Sequence, residues 1–223
     1  MKSQIIIMLT HNDQTVENAY EVFESCKDLS VQFWGFKDVG VPKEEMKRIV
    51  DAMKAAGKTT FLEVVSYSEE ECMRGAKLAV ELGYDYLMGT IYHPSVFDYL
   101  SSQDIKFLPF CGTVYGSPSV LEGTFEEIIA DGKELLNKGV DGIDLLAFRH
   151  KDGAGLATAY CKEIKKPVVI AGSINSPERI EFINSIDPWA FTMGSALFEQ
   201  KFVKEGNFRE NLQKVIECMN SID

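Results

Sequence analysis

The sequence predicts a single (β/α)8 barrel over residues 1–223, the TIM-barrel architecture. Three observations predict it. Short apolar runs alternate with amphipathic segments eight times along the chain. The runs are continuous rather than in-and-out, as in parallel strands buried on both faces. The first run leads into Thr10-His11-Asn12-Asp13, not into the glycine-rich turn that opens a doubly wound dinucleotide-binding sheet. No linker or low-complexity stretch divides the chain, and 45% hydrophobic residues supply one large core.

Strand 1 is expected over 5–9 and a helix over 15–25, with Ala19, Val22 and Phe23 on one face. Strand 2 covers 31–36, and Pro42 opens a helix that Gly57 closes. The β-branched and aromatic run 60–65 is strand 3. Ser68 followed by Glu71 is a capping-box spacing for a helix over 68–82. Strand 4 is 86–91, and a short helix spans 95–101. Strand 5 (106–110) precedes the longest connection, 112–123, a glycine-punctuated segment expected to serve as a lid, and then a helix over 124–137. Strand 6 (142–147), a helix (154–164), strand 7 (168–171), a helix (176–185) and strand 8 (190–193) complete the series. The remainder to Ile222 reads as helix with a break near Gly206. The junctions Gly83-Tyr84-Asp85-Tyr86 and Gly139-Val140-Asp141-Gly142 look like one recurring helix-to-strand loop, which places Asp141 at the far face.

A formal charge of −11 repels nucleic acid and anionic lipid, so neither is an expected partner. Five scattered cysteines without a C-x-x-C pair read as a reduced, cytosolic protein, and no apolar run has the length of a membrane span. A buried pocket still sets its own field, so an anionic small ligand remains compatible with this charge.

Two strands end in glycine–serine: 167–173 in Ala171-Gly172-Ser173, and 190–195 in Met193-Gly194-Ser195. A strand that stops there and turns into a helix offers bare backbone amides at the positive end of a helix dipole, an anion site. Consecutive sites of this kind at the end of a (β/α)8 series form a phosphate pocket. Gly172, Ser173, Gly194 and Ser195 are therefore the expected phosphate-binding residues.

The Ala-Gly-Ser-Ile of 171–174 and the Met-Gly-Ser-Ala-Leu-Phe of 193–198 resemble the ribulose-phosphate-binding barrels. That group includes amino-acid-pathway isomerases, pentulose-phosphate epimerases and decarboxylases of phosphorylated sugar acids. The resemblance implies phosphate held by these four residues and a homo-oligomer. It does not carry a reaction. The decarboxylase branch implies Asp-x-Lys-x-x-Asp on strand 3, where this chain has Leu62-Glu63-Val64-Val65-Ser66. The epimerase branch implies His and Asp metal ligands, where this chain has Lys37, Asp38 and Glu63.

Chemistry in such barrels sits at the C-terminal ends of the strands. Lys37 leaves the apolar run Phe33-Trp34-Gly35-Phe36, and desolvation there is expected to lower its pKa, which suits imine formation or acid/base work. Glu63 lies inside strand 3 and, if it points into the barrel, adjoins Lys37; the alternative is an inert buried ion pair. Asp144 is the same case on strand 6. His11 and His93 follow strands 1 and 4 and are acid/base candidates, although His93-Pro94-Ser95 also reads as a plain helix entry and Asp13 as a helix cap. Arg149 and His150, beside the glycine-rich helix start of 153–155, suit an anionic ligand's far end, and Tyr115 on the long loop could close over it. Cys111 reads as a small buried hydrophobe rather than a nucleophile. No cofactor signature is recognised; a divalent metal on Glu63, Asp144 and a histidine has no supporting spacing. The expected function is acid/base proton transfer beside the carbonyl of a small phosphorylated sugar, in an isomerase, aldolase or decarboxylase. The alternative is a non-catalytic phosphometabolite sensor of antiterminator type.

Overall fold

The computed structural model describes residues 3–221. Its eight main strands are β1 (Gln4–Met8), β2 (Phe33–Lys37), β3 (Thr59–Val64), β4 (Tyr86–Gly89), β5 (Lys106–Leu108), β6 (Ile143–Leu145), β7 (Val168–Ile170) and β8 (Ala190–Met193). They form one parallel sheet in the order β6-β7-β8-β1-β2-β3-β4-β5. The seam between its edges is drawn together by a parallel bridge from Phe110 to Asp144 and by backbone bonds from Asp141 to Phe107 and from Asp144 to Pro109. The sheet is thus a nearly closed (β/α)8 barrel.

Around it lie α1 (Ala19–Cys26), α2 (Lys43–Ala55), α3 (Glu69–Leu82), α4 (Pro94–Ser101), α5 (Phe125–Lys138), α6 (Gly153–Glu163), α7 (Pro177–Ile186), the one-turn α8 (Ser195–Phe198) and α9 (Phe208–Asn220). Strand residues alternate between two cores. Ile5, Ile7, Leu9, Trp34 and Phe36 face the helix layer. Ile6, Met8, Phe61, Met88, Leu108 and Val169 fill the barrel, with Phe33, Tyr86 and Trp189 packed against them. The Phe61 and Tyr86 rings stack at 4.5 Å. Lys37, Glu63 and Asp144 share this inward alternation, so the interior passes from aromatic to ionisable towards the C-terminal ends of the strands.

The recurring loop has one physical job. Gly83 and Gly139 both take the left-handed conformation that ends α3 and α5. The aspartate two residues on then braces the neighbouring strand: Asp85 accepts from the Thr60 amide (2.7 Å), and Asp141 from the Phe107 amide (3.0 Å). Asp141 lies at the far face, as the sequence predicts.

Three expected elements differ. The helix expected from residue 15 starts at Ala19, because Thr10–His11 and Gln14–Thr15 pair as a hairpin. Asn12 and Asp13 both have positive φ (50° and 60°) at its two-residue turn, a form that Asn and Asp tolerate. Residues 112–123 are also a hairpin, Thr113–Tyr115 against Val120–Glu122. At the C-terminus, α8 and α9 are separated by 199–207, and Asn207 caps α9 through a capping box with Glu210. Asn220 ends α9, and Ile222, the expected end, lies outside the described residues with positions 1, 2 and 223. Among the described residues no helix is long and apolar enough to cross a membrane.

Candidate active site

A cavity of about 280 Å³ opens at the C-terminal end of the barrel. One wall is made by the turns after β7 and β8, and it contains Gly172, Ser173, Gly194 and Ser195 together. Gly172 and Ser173 are both left-handed (φ 95° and 45°). Among the described residues, the backbone amides of 172–175 find no acceptor. Ser195 and Ala196 open α8, and first-turn amides have no intrahelical partner. Arg149, in the short 3-10 turn Ala147–Arg149 after β6, passes over this wall: a Cβ added to Gly172 would sit 3.8 Å from its Nε. The guanidinium makes no hydrogen bond or ion pair among the described residues. The wall also includes Glu199, whose carboxylate pairs with Lys201 at 3.3 Å.

Gly194 has a separate reason to be glycine. A Cβ there would lie 2.8 Å from the Thr10 carbonyl oxygen and 2.9 Å from that of Met8. Gly194→Ala is therefore expected to destabilise the fold by about 1–3 kcal/mol through overpacking against backbone, read as a lowered urea midpoint with an unchanged m-value.

The opposite wall carries the ionisable groups. Thr15 Oγ1 donates to the Lys37 carbonyl (2.8 Å) and accepts from the Lys37 amide (3.0 Å), which pins the first hairpin to the end of β2. That places Asp13 Oδ1 2.9 Å from Lys37 Nζ. Lys37 stands in register with Glu63 on β3, and its side chain is 13% exposed. Burial pulls the Lys37 ammonium down, but the Glu63 and Asp13 carboxylates outweigh it, and the net shift is upward. This corrects the expected direction: Lys37 is held as a cation, not prepared as a neutral amine. Burial pushes Glu63 up against the attraction of Lys37. Asp144, on β6, does not line the cavity; it is fully buried, neither oxygen has a side-chain partner among the described residues, and the Gly89 backbone amide only partly offsets its burial. Burial and then the Glu63 charge push Asp144 far above the ordinary carboxylate range.

The other sequence candidates fall elsewhere. His11 packs on the Phe198 ring (5.8 Å between centroids) with a buried, unpartnered Nδ1, outside the cavity lining. His93 precedes α4, with Nε2 3.3 Å from the Tyr67 carbonyl, as the plain helix-entry reading predicts. His150 is buried: the Asp152 amide donates to Nδ1 (3.1 Å), so Nε2 carries the hydrogen facing the Gly123 carbonyl (3.1 Å). It latches two loops, and it does not line the cavity. Tyr115 is 44% exposed on the second hairpin and does not line the cavity. The Cys111 thiol is buried against the Tyr160 hydroxyl and pushed up to about 12. Sequence reasoning missed Asp13, assigned to a helix cap, and Thr10, which lines the cavity and has a buried, unpartnered hydroxyl. The Asn-Asp pair, a hairpin-turn signal, could have revealed the first. Among the described residues no three histidine, cysteine, aspartate or glutamate side chains are gathered in a way that could hold a metal ion.

No protein-family model and no curated protein sequence matches the chain. Solved structures do share its fold. Orotidine 5'-phosphate decarboxylase from Pyrococcus horikoshii superposes with a TM-score of 0.72 at 12% identity, over 98% of this chain and 99% of that one. The N-acetylmannosamine-6-phosphate 2-epimerase from Clostridium perfringens gives 0.64 at 12% identity, over 97% and 93%. A glycerol uptake operon antiterminator regulatory protein from Listeria monocytogenes gives 0.57 at 14% identity, over 86% and 91%. The resemblance to ribulose-phosphate-binding barrels therefore holds for the fold.

Proposed function

We propose that the chain is an enzyme that binds a small phosphorylated metabolite at this face and moves a proton beside its carbonyl group. The observation that carries the reading is one cavity with two chemically opposed walls. Unpaired amides and the Arg149 guanidinium make an anion cradle on one side. The Asp13–Lys37–Glu63 group stands on the other. The solved phosphosugar and phosphonucleotide enzymes of the same fold agree with it.

The phosphate anchors the ligand, and binding energy from this remote group orients the reacting end. The Lys37 ammonium donates to the carbonyl oxygen and stabilises the negative charge that develops there. Glu63, pushed up by burial, is the base that takes the neighbouring proton. Isomerisation, and decarboxylation or aldol cleavage through an enolate, all draw on this pair. The upward shift of Lys37 favours this polarising role over imine formation.

The test is thermal stability with inorganic phosphate, pentose and hexose phosphates, and free sugars. A ligand at about 100 times its Kd adds roughly 2.7 kcal/mol. At this chain length that raises Tm by about 5–10 °C. Phosphate esters are expected to stabilise and free sugars not, with the shift abolished in Arg149→Ala. Equal shifts with free sugars, or none with any phosphate compound, would overturn the reading. Proton exchange at the ligand's α-carbon in heavy water, lost in Glu63→Gln, separates the enzyme from a phosphometabolite sensor, which binds without exchange.

A further inference from the structure

A second cavity, of about 200 Å³, adjoins the first, and Asp13 and Lys37 line both. Their ion pair is thus a partition between two chambers. Beyond it lie Asp38, Val39, Val65, Tyr67 and the tip of the second hairpin, residues 116–119. Tyr67 ties that tip down, its hydroxyl 2.8 Å from the Gly116 carbonyl and 2.9 Å from Ser119 Oγ. With its hydroxyl so engaged, the ring joins Val65 and Pro118 as apolar lining.

Asp38 is the polar group left over. Its carboxylate accepts from its own backbone amide but has no side-chain hydrogen-bond or ion-pair partner among the described residues, which leaves acceptor capacity open. Burial pushes it up, and the Arg74 and Lys37 charges only partly offset that. An ionised carboxylate accepts and cannot donate, so what it lacks is a donor. A second anion there would face two carboxylates, Asp38 and Asp13, against one lining cation, Lys37, which Asp13 already pairs.

We propose that the second chamber binds the non-phosphorylated end of the ligand, which is a phosphate monoester ending in a compact, uncharged group that bears an O–H or N–H donor. This rests on the phosphate reading of the first cavity. The chain crosses the Asp13–Lys37 partition, so the carbon beside Lys37 is internal to the ligand. Bisphosphates and phosphorylated carboxylic acids are rejected by charge, a specificity the anion cradle by itself does not supply.

The experiment is a calorimetric titration of the whole protein with inorganic phosphate, methyl phosphate, and three series of increasing chain length: n-alkyl, ω-hydroxyalkyl and ω-carboxyalkyl phosphates. The hydroxyl series is expected to pass through an affinity maximum at one length. There it binds about tenfold tighter than the alkyl ester, the effect of one hydrogen bond to a charged acceptor, and tighter still than the carboxylate. Asp38→Asn, checked for an unchanged melting temperature without ligand, is expected to shrink the hydroxyl-to-alkyl ratio. The proposal fails if inorganic phosphate binds but the hydroxyl series shows no maximum, or if the carboxylates bind equally well. If neither inorganic phosphate nor any ester binds, it is the phosphate reading of the first cavity that falls, and this inference with it.

Discussion

Lys37→Met is expected to destabilise the protein by about 1–2 kcal/mol at neutral pH, between the small worth of an exposed ion pair and the cost of breaking a buried one, because Asp13 is 57% exposed while Lys37 is 13% exposed. Lys37 is the cation beside Glu63, and it also holds Asp13 at 2.9 Å. Without it, burial and the Asp13 and Asp38 charges push Glu63 upward, opposed mainly by Arg149. The unfolded chain releases the glutamate proton near pH 4.3. The native variant holds that proton to higher pH, so its stability falls as pH rises from about 4.3 towards the raised native value. Asp13 adds a nearly constant offset over this range. The Lys37 bond holds its carboxyl low in the wild type, a contribution present above the unfolded aspartate value and absent from the variant. The gap between wild type and variant is therefore already present near pH 5 and widens towards pH 8 as the Glu63 contribution grows. Glu63→Gln in the same chain removes the stranded carboxyl and is expected to restore most of the loss. Urea midpoints from pH 5 to 8 for the four proteins of this cycle provide the check. A pH-independent loss, or strictly additive single effects, would mean that Lys37 and Glu63 are not coupled.

The same three residues show what could be read from the sequence. The eight strands were legible because a buried parallel strand is a run of apolar residues, visible without any partner. Glu63 and Asp144 were legible as interruptions of such runs. The glycine–serine turns were legible as punctuation, although Gly194 is glycine partly because the β1 carbonyls leave no room for a Cβ. Pairings between distant residues were not legible. Asp13 reaches Lys37 only because Thr15 bonds both backbone groups of a residue 22 positions away. The sign of the Lys37 shift depends on that neighbour and on Glu63, and local apolarity argues for the opposite sign. His11, His93 and His150 follow strands as predicted, but a position after a strand does not fix where a ring points. Each ring meets a local partner instead, Phe198, the Tyr67 carbonyl and the Gly123 carbonyl respectively.

Asp144→Asn is expected to gain stability over the wild type as pH rises, by up to about 1.4 kcal/mol per pH unit. The wild-type carboxyl is 0% exposed and has no side-chain partner among the described residues. Burial, then the Glu63 charge, hold it protonated well above the ordinary range. Below the unfolded aspartate value of about 3.9 both states carry the proton and it contributes no pH dependence. Above that value the unfolded chain releases the proton and the native chain does not, so wild-type stability declines until native Asp144 itself ionises. Asparagine has the same shape and does not titrate, so the variant lacks this decline. The two proteins should be close near pH 4 and diverge towards pH 8 in urea unfolding. Parallel profiles would show that Asp144 is ionised in the native state and compensated by its surroundings. A group that costs stability at working pH and could be replaced by a neutral isostere is the kind retained for chemistry. A protonated Asp144 also adds no second negative charge to the field that already raises Glu63.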